Sequence, residues 1–159
     1  MGVSGSGKST LGAALAGALE CPFLEGDDFH SPEARAKMHA GIPLTDDDRW
    51  PWLDRLGRAI GTHRVAVASC SALRRVYRDR LRNVIPTPTR FVLMDADRDE
   101  LLRRLTSRPG HYMPASLLTS QLATLERPQP EEAILTLDAT QPTITLCEQT
   151  FTWLTLYST

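Results

Sequence analysis

The residues with the clearest chemical meaning stand at the start of the sequence, which reads MGVSGSGKST. Gly2 to Ser9 follow the pattern Gly-x-x-x-x-Gly-Lys-Ser of a phosphate-binding loop. Glycines let such a loop turn its backbone N–H groups toward a polyphosphate. The Lys8 ammonium can reach the β- and γ-phosphates, and the Ser9 hydroxyl can ligate Mg²⁺. A chance glycine-rich turn is the alternative, but four fixed positions followed by an apolar helix favour a site for ATP and Mg²⁺.

This phosphate-binding loop predicts a continuous set of nucleotide contacts in which Ser9 is also the metal ligand. The set comprises Gly2, Val3, Ser4, Gly5, Ser6, Gly7, Lys8, Ser9 and Thr10. The same segment matches the myristoylation pattern, with Gly2 followed by Ser6, but the phosphate loop already accounts for these residues.

A phosphate loop normally follows a buried strand, and here only Met1 precedes Gly2. We therefore expect that strand to be contributed by almost nothing, or the chain to be truncated or assigned a wrong start. A central strand buries several side chains at about 1.5–3 kcal/mol each, against a total stability of about 5–15 kcal/mol. The chain as written is thus predicted to be marginally stable, and an upstream apolar segment is predicted to restore it.

A group of acidic residues follows the strand predicted at 21–24 and reads EGDDFH. Ligands of parallel α/β sheets lie beyond the carboxyl ends of the strands, so these acids should face the phosphate loop. Phosphoryl transfer to a hydroxyl needs a carboxylate that orients the hydroxyl and accepts its proton. Asp27 is the candidate for that role, and Glu25 is a candidate outer ligand of Mg²⁺-bound water. The alternative is a loop of solvated acids that caps the next helix.

Arginines supply candidate contacts for an anionic substrate. Arg49 follows three aspartates and can clamp a carboxylate or phosphate bidentately, or merely pair with its acidic neighbours. Five arginines lie within residues 74–82, just after a predicted strand. Arg74 and Arg78 are the nearest to the strand end and are predicted to bind substrate, while the others suit a solvated face.

The stretch 108–114 interrupts the helical pattern and reads RPGHYMP. Proline, glycine and a flanking arginine suit a lid that closes over ATP and excludes water from the transferred phosphate. Arg108 would then bring positive charge to that phosphate and joins Lys8 and Asp27 as a predicted catalytic residue. A plain turn between two helices is the alternative.

Hydrophobic periodicity predicts alternating helices and strands, typical of an α/β protein with a parallel sheet. Strands are predicted at 21–24, 64–70, 90–94 and 133–138. Helices are predicted at 9–19, at 32–40, from Thr45 to Gly61, from about 74 to 82, after Asp97, at 115–126, and after Pro142. Thr45 and Asp97 are the expected helix caps.

Length and composition fit one domain spanning 1–159 in a chain of 159 residues. A net charge of −1 argues against nucleic-acid or membrane partners and leaves a small-molecule substrate. The three cysteines, Cys21, Cys70 and Cys147, lack metal-ligand spacing and indicate reduced thiols in a cytoplasmic protein.

These stretches together resemble the gluconokinases, small P-loop kinases related to shikimate and adenylate kinases. The matching segments appear in the family's order and read MGVSGSGKST, EGDDFHSPEARAKMHAGIPLTDDDRWPWL, CSALRRVYRDRLR and RPGHYMPASLLTSQLATLERP. The resemblance implies the three-layer P-loop NTPase sandwich with parallel strand order 2-3-1-4-5, in which strand 1 is the one largely missing before Gly2. It also implies transfer of the ATP γ-phosphate to the 6-hydroxyl of D-gluconate.

The resemblance also implies roles for single residues. Asp27 falls to the substrate hydroxyl, Arg49 and Arg78 to substrate binding, and Arg104 and Arg108 to the lid and the phosphates. The segment 138–142 falls to adenine, His111 matches the lid motif without an assigned role, and homodimers are common in the family. The chain departs from the family at Arg74 (usually Lys), Tyr112 (usually Phe) and Asp95-Ala96 (usually Gly). Another sugar-acid or shikimate-like acceptor, or an inactive truncated paralogue, remain as alternatives.

Overall fold

The computed structural model describes residues 1–107 and 115–156, with only the backbone described at 115 and 116. Helices and short strands alternate along these two ranges, which confirms the expected α/β class. The helices are α1 (Lys8–Ala18), α2 (Pro32–His39), α3 (Asp46–Gly61), α4 (Arg75–Val84), α5 (Arg98–Thr106), α6 (Ala115–Thr124) and α7 (Thr143–Leu156). The strands are β1 (Phe23–Glu25), β2 (Val67–Ser69), β3 (Val92–Asp95) and β4 (Leu135–Asp138), and single 3₁₀ turns span Gly26–Phe29 and Pro130–Glu132.

The four strands form two parallel pairs. β1 pairs with β2 in the register Phe23 opposite Val67, and β3 pairs with β4 in the register Val92 opposite Leu135. Parallel pairing places the carboxyl ends of both strands of a pair at the same edge. The residues that follow β1 and β2 therefore meet, as do those that follow β3 and β4.

Met1 lies between the two pairs, where strand 1 of the predicted order belongs. Its amine donates to the carbonyl of Val92, and its carbonyl accepts from the Met94 amide at 2.9 Å. The next residue, Gly2, donates from its amide to the Ser71 carbonyl at 3.1 Å. Met1 thus bonds to β3 of one strand pair, and Gly2 bonds to the segment that follows β2 of the other. These contacts are those that the order 2-3-1-4-5 requires, while the full strand order stays a prediction.

An apolar cavity of about 450 Å³ opens beside Met1. Side chains of both strand pairs, of α1 and of α7 line it, including Leu11, Leu15, Val67, Phe91, Val92 and Leu154. The space beside Met1 is therefore apolar and is lined by residues of both strand pairs and of the flanking helices.

Three buried clusters hold the elements together. The first joins α3 to α4 through Trp52, Leu56, Tyr77 and Leu81, among others. The second joins α1 to β3, β4 and α7. The third includes Val3 of the phosphate loop together with Leu101, Leu105 and Leu118. The loop is thus anchored in the core by its own valine.

Both predicted helix caps are confirmed. The Thr45 hydroxyl accepts from the Asp48 amide at 3.3 Å, and the Asp48 carboxylate accepts from the Thr45 amide at 2.9 Å. The Asp97 carboxylate accepts from the Glu100 amide at 2.8 Å. Within the two described ranges, no helix is both long enough and apolar enough to cross a membrane.

Candidate active site

The phosphate-binding loop has the backbone geometry that its glycines predict. Gly2, Gly5 and Gly7 have φ angles of 139°, 81° and 91°, which side-chain-bearing residues rarely adopt. At Gly2 a Cβ atom would lie 2.8 Å from the Met94 carbonyl oxygen. Gly7 precedes α1 and contributes no side-chain cap. The amides of the first turn are therefore available for an anion, which the positive end of the helix attracts.

Lys8 and Ser9 open α1 beside this loop. The Lys8 ammonium donates to the Val3 carbonyl at 3.0 Å, so its side chain folds back along the loop. Ser9 and Thr10 are exposed on the first turn. An exposed hydroxyl at this place can join phosphate oxygens around Mg²⁺, a cation that prefers oxygen ligands and is commonly held by few protein groups.

A second cavity of about 280 Å³ adjoins the loop. It is lined by Gly5, Gly7, Thr10, Arg104, Ala139 and Gln141, among others. The Arg104 guanidinium donates to the Ala139 carbonyl at 2.7 Å and to Glu100 at 2.6 Å. The predicted phosphate contact Arg104 and the predicted adenine segment 138–142 therefore lie together beside the loop.

Asp27 sits in the 3₁₀ turn that follows β1. The turn begins at Gly26, where a Cβ atom would lie 2.1 Å from the Ser69 carbonyl oxygen, so only glycine allows this approach to β2. Desolvation by the surrounding protein raises the pKa of Asp27, and the positive charge of Lys8 opposes that shift. The Asp27 side chain is nevertheless 79% exposed, so a substrate hydroxyl can reach it, and its role as the proton acceptor stays a prediction. Neighbouring Glu25 is engaged by the Ser69 hydroxyl.

His30 and Trp52 form a buried stack below Asp27, with ring centroids 4.2 Å apart. Trp52 donates from its indole nitrogen to the Gly26 carbonyl at 2.7 Å and so fixes the turn. His30 Nε2 lies 4.0 Å from Asp27 Oδ1. Burial, together with the charges of neighbouring arginines, lowers the pKa of His30 to about 4. The sequence analysis did not single out His30, because a lone histidine after an acidic stretch carries no spacing signal.

Arg49 and Arg74 converge on the ring of Tyr77. Their guanidinium carbons lie 5.3 and 5.5 Å from the ring centroid. Arg49 donates to the Tyr77 hydroxyl at 3.2 Å, and Arg74 donates to the Asp46 carboxylate at 2.8 Å. Two of the predicted substrate arginines therefore lie together, and Arg49 also pairs with an acidic neighbour, since its nitrogen is 3.7 Å from Asp46.

Arg78, the third predicted substrate arginine, is placed differently. Its side chain is 0% exposed and forms an ion pair with Glu132 at 2.7 Å. The same guanidinium donates to the carbonyls of Leu73 and Glu126, each at 3.3 Å. This position ties α4 to the segments around α6 and β4 and does not support a substrate contact. Arg108, His111 and Tyr112, with the whole predicted lid, lie outside the described residues.

Cys21, Cys70 and Cys147 are free thiols. Burial raises the pKa of the Cys70 thiol to about 12, so it stays protonated beside the phosphate loop. Among residues 1–107 and 115–156, no group of three or more His, Cys, Asp or Glu side chains could hold a metal ion. A metal at this site would depend on Ser9 and on the phosphates.

Comparison with known proteins gives one consistent result. The profile of the AAA domain family matches residues 1–128. The gluconokinase of Gluconobacter oxydans is 49% identical over 139 residues, which cover 85% of this chain and 78% of that protein. The thermosensitive gluconokinase of Escherichia coli is 44% identical, with coverages of 83% and 72%.

Solved structures agree with these relatives. The crystal structure of a gluconokinase from Sinorhizobium meliloti superposes with a TM-score of 0.91 at 46% identity, over 99% of this chain and 90% of that one. The APS kinase CysC of Mycobacterium tuberculosis superposes with a TM-score of 0.70 at 19% identity, over 97% and 94% of the two chains. At that identity the likeness concerns the fold alone.

Proposed function

Since this chain belongs to the gluconokinase family of P-loop kinases, we propose that it transfers the γ-phosphate of ATP to the 6-hydroxyl of D-gluconate. The observation that supports the proposal is the glycine geometry of the phosphate-binding loop, together with Asp27 at the carboxyl end of β1, where the charge of Lys8 acts on its carboxylate. Phosphoryl transfer to a hydroxyl needs a phosphate-binding cation and a proton acceptor near each other.

The nucleotide side of the reaction relies on the backbone and on two side chains. The loop amides and the start of α1 bind the phosphates, and Lys8 reaches the β- and γ-oxygens. Ser9 would hold Mg²⁺ together with those oxygens, and the bound ion supplies positive charge against them. Arg104 and the segment 138–142 bound the cavity proposed for the nucleoside.

On the acceptor side, Asp27 receives the proton of the 6-hydroxyl as the new O–P bond forms and the bond from the γ-phosphorus to the departing ADP oxygen breaks. A raised pKa brings the carboxylate closer to the ideal of a general base working near neutral pH. Arg49 and Arg74 are proposed to hold the carboxylate at the other end of gluconate, because paired guanidinium groups match a carboxylate bidentately. Holding that end places the 6-hydroxyl between Asp27 and the γ-phosphate.

Other features of the proposal rest on the sequence. Closure of a lid at 108–114, with Arg108 on the transferred phosphate, stays a prediction, as do the single domain over 1–159 and the homodimer. A cytoplasmic location is proposed from the three free cysteines.

An ADP-release assay with ATP, Mg²⁺ and a panel of D-gluconate, idonate, shikimate and AMP tests the proposal. We expect turnover with D-gluconate. In Asp27→Asn, kcat should fall by about 10²–10⁴-fold, because general-base catalysis contributes on that order. Binding of ATP, followed by calorimetry, should be retained.

The matched control is Asp28→Asn, which removes an exposed carboxylate from the same 3₁₀ turn. It should keep its kcat. Turnover with a different acceptor would leave a kinase of another specificity, and full activity in Asp27→Asn would remove Asp27 from the mechanism. Absence of turnover across the panel would favour the inactive paralogue.

A further inference from the structure

Asp46 takes no part in the proposed chemistry, yet it contacts every member of the arginine cluster, which consists of Arg49, Arg74 and Tyr77. Its Oδ2 accepts from Arg74 at 2.8 Å, and its Oδ1 accepts from the Tyr77 hydroxyl. Arg49 approaches the same Oδ1 at 3.7 Å. One carboxylate is thus held by three donors, with both of its oxygens in use.

The start of α3 does not account for these contacts. The helix is capped by Thr45 and Asp48, and the Asp48 carboxylate also accepts two hydrogen bonds from Lys37, at 2.7 and 2.8 Å. Asp46 instead reaches across to the start of α4, where Arg74 immediately precedes the helix and Tyr77 lies in its first turn. The Asp46 contacts therefore show that the donors of the cluster bind a carboxylate, and these contacts are separate from the cap of the helix.

We propose that Asp46 occupies, in the ligand-free protein, the place that the carboxylate of the sugar acid takes, and that the acceptor displaces it from Arg49, Arg74 and Tyr77. This inference rests on the proposed function and adds a specificity-determining residue to it. An acceptor without a carboxylate has nothing to exchange for Asp46, so the cluster selects acidic acceptors over neutral polyols.

The exposure of the groups allows this exchange. The side chains of Asp46 and Arg74 are 43% and 36% exposed, and ion pairs that solvent reaches are weak and exchange readily. Arg74 also contacts Glu126 at 3.3 Å, so it keeps one carboxylate partner when Asp46 leaves. The Tyr77 ring lies against both guanidiniums and holds them in place during the exchange.

Helix α3 connects the cluster to the proposed base. Arg49 of this helix donates to the Tyr77 hydroxyl, and Trp52, three residues later, stacks on His30. His30 Nε2 in turn lies 4.0 Å from Asp27 Oδ1, so one helix contacts both the cluster and the turn that carries Asp27.

Calorimetric titration of D-gluconate into the nucleotide-free protein tests the inference without requiring turnover. In Asp46→Asn, the competing charge is gone while the size is kept, and Kd for D-gluconate should fall by about 5-fold, the most that an exposed pair usually contributes. Kd for D-glucitol, which carries a hydroxymethyl group in place of the carboxylate, should not change. In the turnover assay, KM for D-gluconate should fall with kcat and KM for ATP unchanged.

Asp47→Asn is the matched control, since it removes the same charge from the same helical turn and should leave Kd unaltered. Thermal melting establishes that each variant folds, and Asp46→Ser repeats the test with a shorter neutral side chain. Weaker or unchanged binding of D-gluconate in both Asp46 variants would overturn the inference and make Asp46 a support for the arginines. Absence of D-gluconate phosphorylation by the wild-type protein would count against the proposed function. The ratio of the Kd values for variant and wild type is measured without turnover, so it tests the inference about Asp46 separately.

Discussion

The phosphate-binding region and the acceptor-binding region of this protein are built in different ways. The first is one run of consecutive residues, Gly2 to Thr10, whose shape comes from glycine backbone angles and from the start of α1. The second is assembled from side chains of a 3₁₀ turn, α3 and α4, which meet only after folding. The comparison teaches that local sequence specifies a backbone site, whereas a side-chain site depends on packing at a distance.

The packing below the acceptor region is unusual in containing large polar side chains. Trp52 and Tyr77 are each 1% exposed, and Arg78 is fully buried beside them on α4. Arg78 is held by Glu132, which comes from a segment 54 residues later. Loss of the distant partner Glu132 should therefore disturb the acceptor-binding region and leave the phosphate-binding loop intact.

A large loss of turnover is expected from a change in the loop itself. Lys8→Ala removes the cation aimed at the transferred phosphate, and kcat should fall by about 10²–10³-fold, the usual loss for one electrostatic contact to the transition state. Binding of D-gluconate, measured by calorimetry, should be unchanged because the acceptor region is separate. A parallel loss of D-gluconate affinity would show that the two regions are not independent.

Arg78→Met should produce the largest loss of stability. The substitution leaves Glu132 buried without its partner, which costs about 3–5 kcal/mol of the free energy of unfolding. Urea denaturation measures the loss, and Arg78→Met with Glu132→Leu should recover part of it. Arg80→Met on the same helix breaks the exposed pair with Asp54 and should cost only about 0–1 kcal/mol. Equal losses in Arg78→Met and Arg80→Met would contradict the buried role of Arg78.

An apolar extension before Met1 should stabilise the phosphate-binding side. Five β-branched residues placed there can enter the apolar space beside Met1 and extend its hydrogen bonds to β3. Burial of all five side chains, at about 1.5–3 kcal/mol each, less about 1–2 kcal/mol for ordering each residue, should add about 2–5 kcal/mol to the free energy of unfolding. A Gly-Ser extension of equal length is the control. Equal stability of the two extended chains would contradict the burial of the apolar segment in this space.

The smallest effect is a pH dependence of stability that arises from His30, a residue below the acceptor-binding region. Its pKa is lowered to about 4 in the folded protein, against about 6.5 when unfolded. As pH falls, the unfolded state therefore binds the proton before the folded state does. The contribution of His30 to the free energy of unfolding is fully present above about pH 6.5 and decreases as pH falls toward 4. Between pH 7 and 5 the loss should be about 2 kcal/mol.

Denaturation curves at several pH values should show that this component is missing from His30→Asn. His39→Asn, which changes an exposed histidine, should keep it. The same slope in wild type and His30→Asn would assign the pH dependence to other groups.

Several features followed from the sequence alone because their signals are local. The phosphate loop, the alternation of helices and strands, the caps at Thr45 and Asp97, and Asp27 after β1 each depend on residues within a few positions of one another. The segments shared with the gluconokinases added the family, which the comparisons confirmed.

Only the tertiary structure separated the three candidate arginines. Arg49 and Arg74 meet at Tyr77, while Arg78, one turn along α4, turns inward to Glu132. Charge and spacing are alike at these positions, so the sequence by itself assigned them one role. Which of them is buried depends on a partner carboxylate that arrives from the far end of the chain, because a buried charge is tolerated only where its counter-charge is brought to it.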